Sequence, residues 1–164
     1  MPEPLDQDDH LKEGEPEVPA GRLLALDLGQ KRVGVAVSDE LQITVRAIAP
    51  VRRTSWKKLL RAVREALESF DAQALVIGLP LRLDGTAGEA AEEAVRLARN
   101  FGLSLGVPVF LQDERLTSFE AEESLRCRGL DASKRLGRVD SESAAIILRD
   151  FIAARSSNQP GSES

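Results

Sequence analysis

The chain has 164 residues, 42% hydrophobic and 30% charged, which is the profile of one globular domain with its own core. A single cysteine, Cys127, excludes an internal disulfide and an all-cysteine metal site, and the single histidine, His10, lies in a polar segment that argues against a Ser-His-Asp triad or a multi-histidine zinc site. The net charge of -5 is uneven: residues 1–20 hold seven carboxylates against Lys12, a net -6, while the other 21 basic and 20 acidic groups leave residues 21–164 at +1, so nucleic acid is not excluded as a partner.

Residues 1–20 lack apolar periodicity and read as a disordered acidic tail, and residues 156–164 (SSNQPGSES) as a second one, which brackets a domain over 21–155. Residues 22–29 (RLLALDLG) read as a buried strand, 33–38 (VGVAVS) as its hairpin partner and 43–51 (ITVRAIAPV) as a third, more exposed strand. Ser55 caps a helix whose stripe is Trp56, Leu59, Leu60, Val63, Leu67 and Phe70. Residues 74–78 (ALVIG) form a buried strand, 82–88 a surface loop with an Asp84-Gly85 turn, and 89–105 a helix with Ala91, Ala94, Val95, Ala98 and Phe101 inward. Residues 107–111 (VPVFL) form another strand. Thr117 and Glu120 make a capping box for a helix to about Cys127, 129–138 form a basic loop, and Asp140 opens the last helix. The order β-β-β-α-β-α-β-α-α predicts an α/β fold with a mixed five-stranded sheet flanked by helices. No apolar run approaches the roughly 18 residues of a membrane span. The acidic, proline-rich start is unlike a secretory or transit signal, so a soluble cytoplasmic protein is expected.

Acidic residues fall where such sheets bind ligands, beyond the carboxyl ends of parallel strands. Asp27 sits within an apolar strand, and a buried carboxylate costs several kcal/mol unless paired, hydrogen-bonded or metal-bound. The bland alternative is a salt bridge to Lys31 or Arg32. Asp113-Glu114-Arg115 follows a late strand, where acids also favour helix initiation. Asp140 at a helix start is equally an N-cap, and Asp84 a turn residue. Together, three carboxylates on one rim make a hard oxygen site for Mg²⁺ or Mn²⁺. Two such ions about 4 Å apart clamp the attacking water and the leaving oxygen of a phosphodiester.

Four runs in order, LLALDLGQKRVGVAVSD, VIGLPLRLDGT, LQDERLTS and RVDSESAAIIL, resemble the YqgF (RuvX-like) family over residues 22–152. The resemblance implies an RNase H-like fold. It also implies a nuclease that processes the 5′ end of precursor 16S ribosomal RNA or, alternatively, resolves Holliday junctions. It further implies that Asp27, Glu114 and Asp140 are the catalytic, metal-binding acids, with Asp113 the alternative to Glu114. Lys31, Arg32, Arg115, Lys134 and Arg138 then become substrate-binding candidates beside that rim. Basic residues also gather in two clusters. One cluster holds Arg46, Arg52, Arg53, Lys57, Lys58, Arg61 and Arg64; the other holds Arg126, Arg128, Lys134, Arg135 and Arg138. The 78–85 stretch reads as a loop over the rim that shapes substrate access. Aromatic content of 4% and the lack of tyrosine make base stacking a poor recognition mode.

The expected partner is structured RNA, with branched DNA as the alternative and a monomer or homodimer as the assembly. The first hairpin also resembles the phosphate-binding hairpin of sugar kinases and actin-like ATPases, but the length leaves no room for their second domain. A non-catalytic ribosome-assembly factor on the same fold is the remaining alternative.

Overall fold

The structure, a computed structural model, describes residues 17–114 and 132–157, with side chains from 141 to 155 in the last helix. Eight elements follow in order: β1 (Arg22–Leu28), β2 (Arg32–Ser38), β3 (Val45–Arg52), α1 (Trp56–Phe70), β4 (Ala72–Leu79), α2 (Glu89–Leu105), β5 (Val109–Asp113) and α3 (Ala132–Ser157). The strands form one mixed sheet in the order β3-β2-β1-β4-β5. The hairpins β1–β2 and β2–β3 are antiparallel, whereas β4 lies parallel to both β1 and β5. The parallel pairs require crossovers, which α1 and α2 supply.

Strand β1 is apolar on both faces because both are covered. Leu24, Leu26, Val33, Val35, Leu75 and Ile77 pack on one face with Leu59, Val63, Leu67 and Phe101 of α1 and α2. Leu23, Ala25, Ala36, Ala74 and Val76 pack on the other with Ala144, Ala145, Ile147 and Leu148 of α3. Alanines on that second face leave room for a helix to lie close to the sheet.

Local signals explain most boundaries. The Ser55 hydroxyl accepts from the Lys58 amide at 3.2 Å, and α1 ends at Asp71 in the left-handed region. Gly106 ends α2 in the same way. The predicted stripes hold except at two positions: Trp56 lies on the first turn with its ring 4.9 Å from that of Phe101, and both it and Val95 stay partly exposed.

Three boundaries differ from the sequence reading. Strand β5 lies two residues later than predicted: the Pro108 carbonyl accepts from the Leu75 amide, but proline has no amide to donate and the paired register starts at Val109. The ordered chain begins before Gly21: Val18 packs against the α3-side core and the Gln42 amide donates to the Pro19 carbonyl at 2.8 Å. Helix α3 starts at Ala132, so Asp140 stands within the helix rather than at its N-cap, and residues 132–138 are helical rather than loop. The intrinsic cost of Gly137 in a helix interior, about 1 kcal/mol, is outweighed by the good helix formers around it. The predicted helix at 117–127 lies outside the described residues. No helix among the described residues is long and apolar enough to cross a membrane.

Candidate active site

Alternation along β1 sets Asp27 on the same face as Leu23 and Ala25, the face covered by α3. Opposite it on β2 stands Gly34. The register of β1 with β4, continued one step past Leu26 and Ile77, brings Asp27 alongside Gly78. Across β4, Gly78 and Leu79 face Gln112 and Asp113 of β5. The chain leaves β5 at Glu114, whose amide donates to the Leu79 carbonyl at 3.1 Å. That last ladder bond turns the Glu114 side chain back over β4.

The Glu114 carboxyl therefore lies on Gly78. A Cβ added to Gly78 would overlap the Glu114 Oε2 atom, stand 3.1 Å from its Cδ and 2.6 Å from Cδ1 of Ile147 on α3. The missing side chain of Gly78 is the seat of the carboxyl, and Ile147 is its lid. The sequence reading closed this strand at Gly78 and also began the rim loop there; the structure keeps Gly78 within β4, which runs on to Leu79, beneath the acid. The available signal was a glycine closing an apolar strand, which marks close approach by another group.

Asp27 and Glu114 are hydrogen-bonded to each other. Burial, then the charge and hydrogen bond of Asp27, then the charge of Asp113 push the Glu114 carboxyl from its ordinary value of 4.5 up to about 8. The pair thus shares a proton at neutral pH. Glu114 Oε2 is buried and has no hydrogen-bond partner, so the fold has desolvated an acceptor without satisfying it. Two facing carboxyls with an orphaned oxygen fit a hard divalent cation, which would replace the proton and take the free oxygen. Glu114 is hydrogen-bonded to Asp27, and the charge of Asp113 also acts on it. Among the described residues no three metal-ligating side chains gather. The backbone of Asp140 lies in α3, and its side chain is outside the described residues, as are those of Arg115, Lys134 and Arg138.

Lys31 and Arg32 lie at the β1–β2 turn, a few residues from Asp27. With Gln30, Arg52, Arg53 and Thr54 they line an open cleft of about 480 Å³. The first basic cluster is divided by the fold. Arg46 stacks over the Phe70 ring at 5.5 Å, and Arg64 donates to the Ser104 carbonyl. Only Arg52 and Arg53 join Lys31 and Arg32. Beyond β4, Asp84 accepts from the Thr86 amide and hydroxyl, the turn its Asp-Gly step predicts.

A family model, RuvX, described as Holliday junction resolvase, matches residues 21–154. A protein of Syntrophus aciditrophicus (strain SB) named "Putative pre-16S rRNA nuclease" is 44% identical over 133 residues, covering 81% of this chain and 89% of that one. One of the same name from Anaeromyxobacter sp. (strain K) is 46% identical over 134 residues, covering 82% and 98%. Among solved structures, T. thermophilus RuvC in complex with Holliday junction substrate superposes with a TM-score of 0.51 at 18% identity, over 83% of this chain and 96% of that one. The fold is RNase H-like, as the first resemblance implied.

Proposed function

The chain belongs to the RuvX family, and from that membership and the carboxyl pair we propose that it is a divalent-metal-dependent endonuclease acting at the 5′ end of precursor 16S ribosomal RNA, in the cytoplasm. The observation that carries the reading is the buried, orphaned Glu114 Oε2 beside Asp27. The neighbour hydrogen-bonded to Glu114 is itself an acid, Asp27.

In this reading Asp27, Glu114 and Asp140 hold Mg²⁺ or Mn²⁺, as a two-ion site. A bound divalent cation supplies Lewis acidity toward the phosphodiester and lowers the pKa of water. The residues of the chain prepare for it. Gly78 and Ile147 fix the Glu114 carboxyl and keep water from its rear. Asp27 and Glu114 would hold the ion as carboxylates, without their shared proton. Lys31 and Arg32, with Arg115, Lys134 and Arg138, hold backbone phosphates so that water attacks phosphorus in line with the departing 3′ oxygen, which leaves a 5′-phosphate.

The test offers a precursor 16S fragment and a four-way DNA junction to the protein and to Asp27→Asn with Mg²⁺ or Mn²⁺. Cutting of the RNA alone, abolished in a variant that keeps its melting temperature, is the expected result. Cutting of the junction alone would move the substrate to branched DNA, as the family description has it. Binding without cutting of either would leave a ribosome-assembly factor.

A further inference from the structure

We propose that the Ser143 hydroxyl of α3 is a positioning group for the divalent cation at the Asp27–Glu114 pair, accepting a hydrogen bond from a water of the hydrated ion. The inference rests on the metal-dependent reading of that pair and adds to it a neutral residue beyond the three acids.

The first argument is an unmet hydrogen bond. Ser143 is 1% exposed, and its Oγ has no hydrogen-bond partner among the described residues. A buried helical serine has an easy remedy, donation to the carbonyl four residues back. Ser143 does not take it. Ser141, two residues earlier, is buried too, and its hydroxyl donates to the Ile48 carbonyl of β3 at 2.7 Å. The fold satisfies one serine and leaves the other. Among the described residues, the other buried side-chain atom in this state is Glu114 Oε2.

The second argument is position. Helix α3 is held at two points as it crosses the sheet. Ser141 is tied to Ile48 on β3, and Ile147 covers the Glu114 carboxyl on Gly78 of β4. Strands β2 and β1 lie between β3 and β4, and Ser143 lies between the two tie points along the helix. The pairs that β1 and β2 turn toward α3 at this crossing are Asp27 with Gly34 and Ala25 with Ala36. Asp27 has the one polar side chain of the four. Ser143 and Ile147 are four residues apart, so they share a helix face with their β carbons about 5–6 Å apart. The lid on Glu114 and the unpartnered hydroxyl are neighbours on one stripe.

The third argument is chemistry. Ala144 and Ala145 show that an alanine packs well in this layer, so packing alone does not call for a hydroxyl. Mg²⁺ gives up its waters reluctantly and keeps several of them in protein sites. Each such water has protons to donate, and a serine hydroxyl accepts one while donating its own. Partners of this kind orient the groups around an ion and set part of its affinity.

The experiment titrates Mn²⁺ into the full chain and reads the free ion by electron paramagnetic resonance, for wild type, Ser143→Ala, Ser141→Ala and Asp27→Asn, with a thermal melt of each in EDTA. Ser143→Ala is expected to weaken Mn²⁺ binding about tenfold, as loss of an outer-shell partner does. In EDTA it should melt no lower than wild type, since it removes a hydroxyl that bonds nothing. Ser141→Ala should do the reverse, melting lower through loss of its bond to Ile48 with Mn²⁺ affinity near wild type. Equal Mn²⁺ affinities for Ser143→Ala and wild type would overturn the proposal. So would a Ser143→Ala protein that melts lower in EDTA, which would make the hydroxyl a packing group. Mn²⁺ held as tightly by Asp27→Asn as by wild type would put the ion elsewhere and overturn both the metal site and the role of Ser143. If Ser143→Ala weakens Mn²⁺ as expected but wild type cuts neither RNA nor junction, the nuclease reading fails and the role of Ser143 stands.

Discussion

Gly78→Ala is the smallest change that reaches the carboxyl pair. The new methyl would stand 2.6 Å from Cδ1 of Ile147 and 3.1 Å from Cδ of Glu114, and overlap Oε2. Carbon atoms sit comfortably at about 3.5–4.0 Å, so both neighbours must move. Overpacking of this kind costs about 1–3 kcal/mol. Displacing Glu114 also breaks its hydrogen bond to Asp27, about 1 kcal/mol more. At about 2–4 °C per kcal/mol for a domain of this size, melting should fall by roughly 4–16 °C. Thermal unfolding and metal-dependent cleavage, measured on the same preparation, separate the two consequences. Trimming the lid as well, in Gly78→Ala with Ile147→Val, should recover part of the melting temperature. It should not recover cleavage, because the methyl still occupies the seat of the carboxyl. A Gly78→Ala protein that melts and cleaves as wild type would show that Glu114 does not rest on Gly78.

Two further predictions follow from described contacts. Glu114 keeps its proton in the folded chain up to about pH 8, whereas the unfolded chain loses it near 4.5. Its contribution to stability is therefore complete below pH 4.5 and is lost as pH rises to about 8, at up to about 1.4 kcal/mol per pH unit. In EDTA, Glu114→Gln should gain on wild type across that window in denaturant titrations, and a constant difference would refute the shared proton. Gln42, at φ 58°, donates through Nε2 to the carbonyls of Pro19 and Gly21 at 2.8 and 2.9 Å. Gln42→Ala should cost about 1–2 kcal/mol in the same titrations, and an unchanged midpoint would show that this tie holds nothing.

The parts of the fold legible in the sequence are those set by local pattern. The β1–β2 hairpin shows in two apolar runs around a short turn, and α1 shows in a stripe behind Ser55. Asp27 was legible because a carboxylate in an apolar strand needs a reason. The seating of the Glu114 carboxyl over Gly78 was not, since it depends on how the chain leaves β5 and on the bond from the Glu114 amide to Leu79. The role of Gly78, though its strand was read, was hidden for a similar cause: it is an empty space, defined by an acid 36 positions on and a helix beyond it. The start of α3 was misplaced because Asp140 makes a credible N-cap and the glycines at 129 and 137 made residues 129–138 read as a loop.

Helix α3 lies across all five strands and provides the helical side of the second core, including Ile147, the lid on Glu114. It also follows every other described element in the chain, so during synthesis it leaves the ribosome last of them. Until it docks, Leu23, Ala25, Ala74 and Val76 have nothing to pack against, and the carboxyl pair lies open to water on that side. Desolvation is the largest cause of Glu114's raised proton affinity. A nascent chain therefore carries two ordinary, hydrated acids rather than a prepared site. Docking of α3 completes the burial of the pair, and a chain cut before α3 has the strands without that lid.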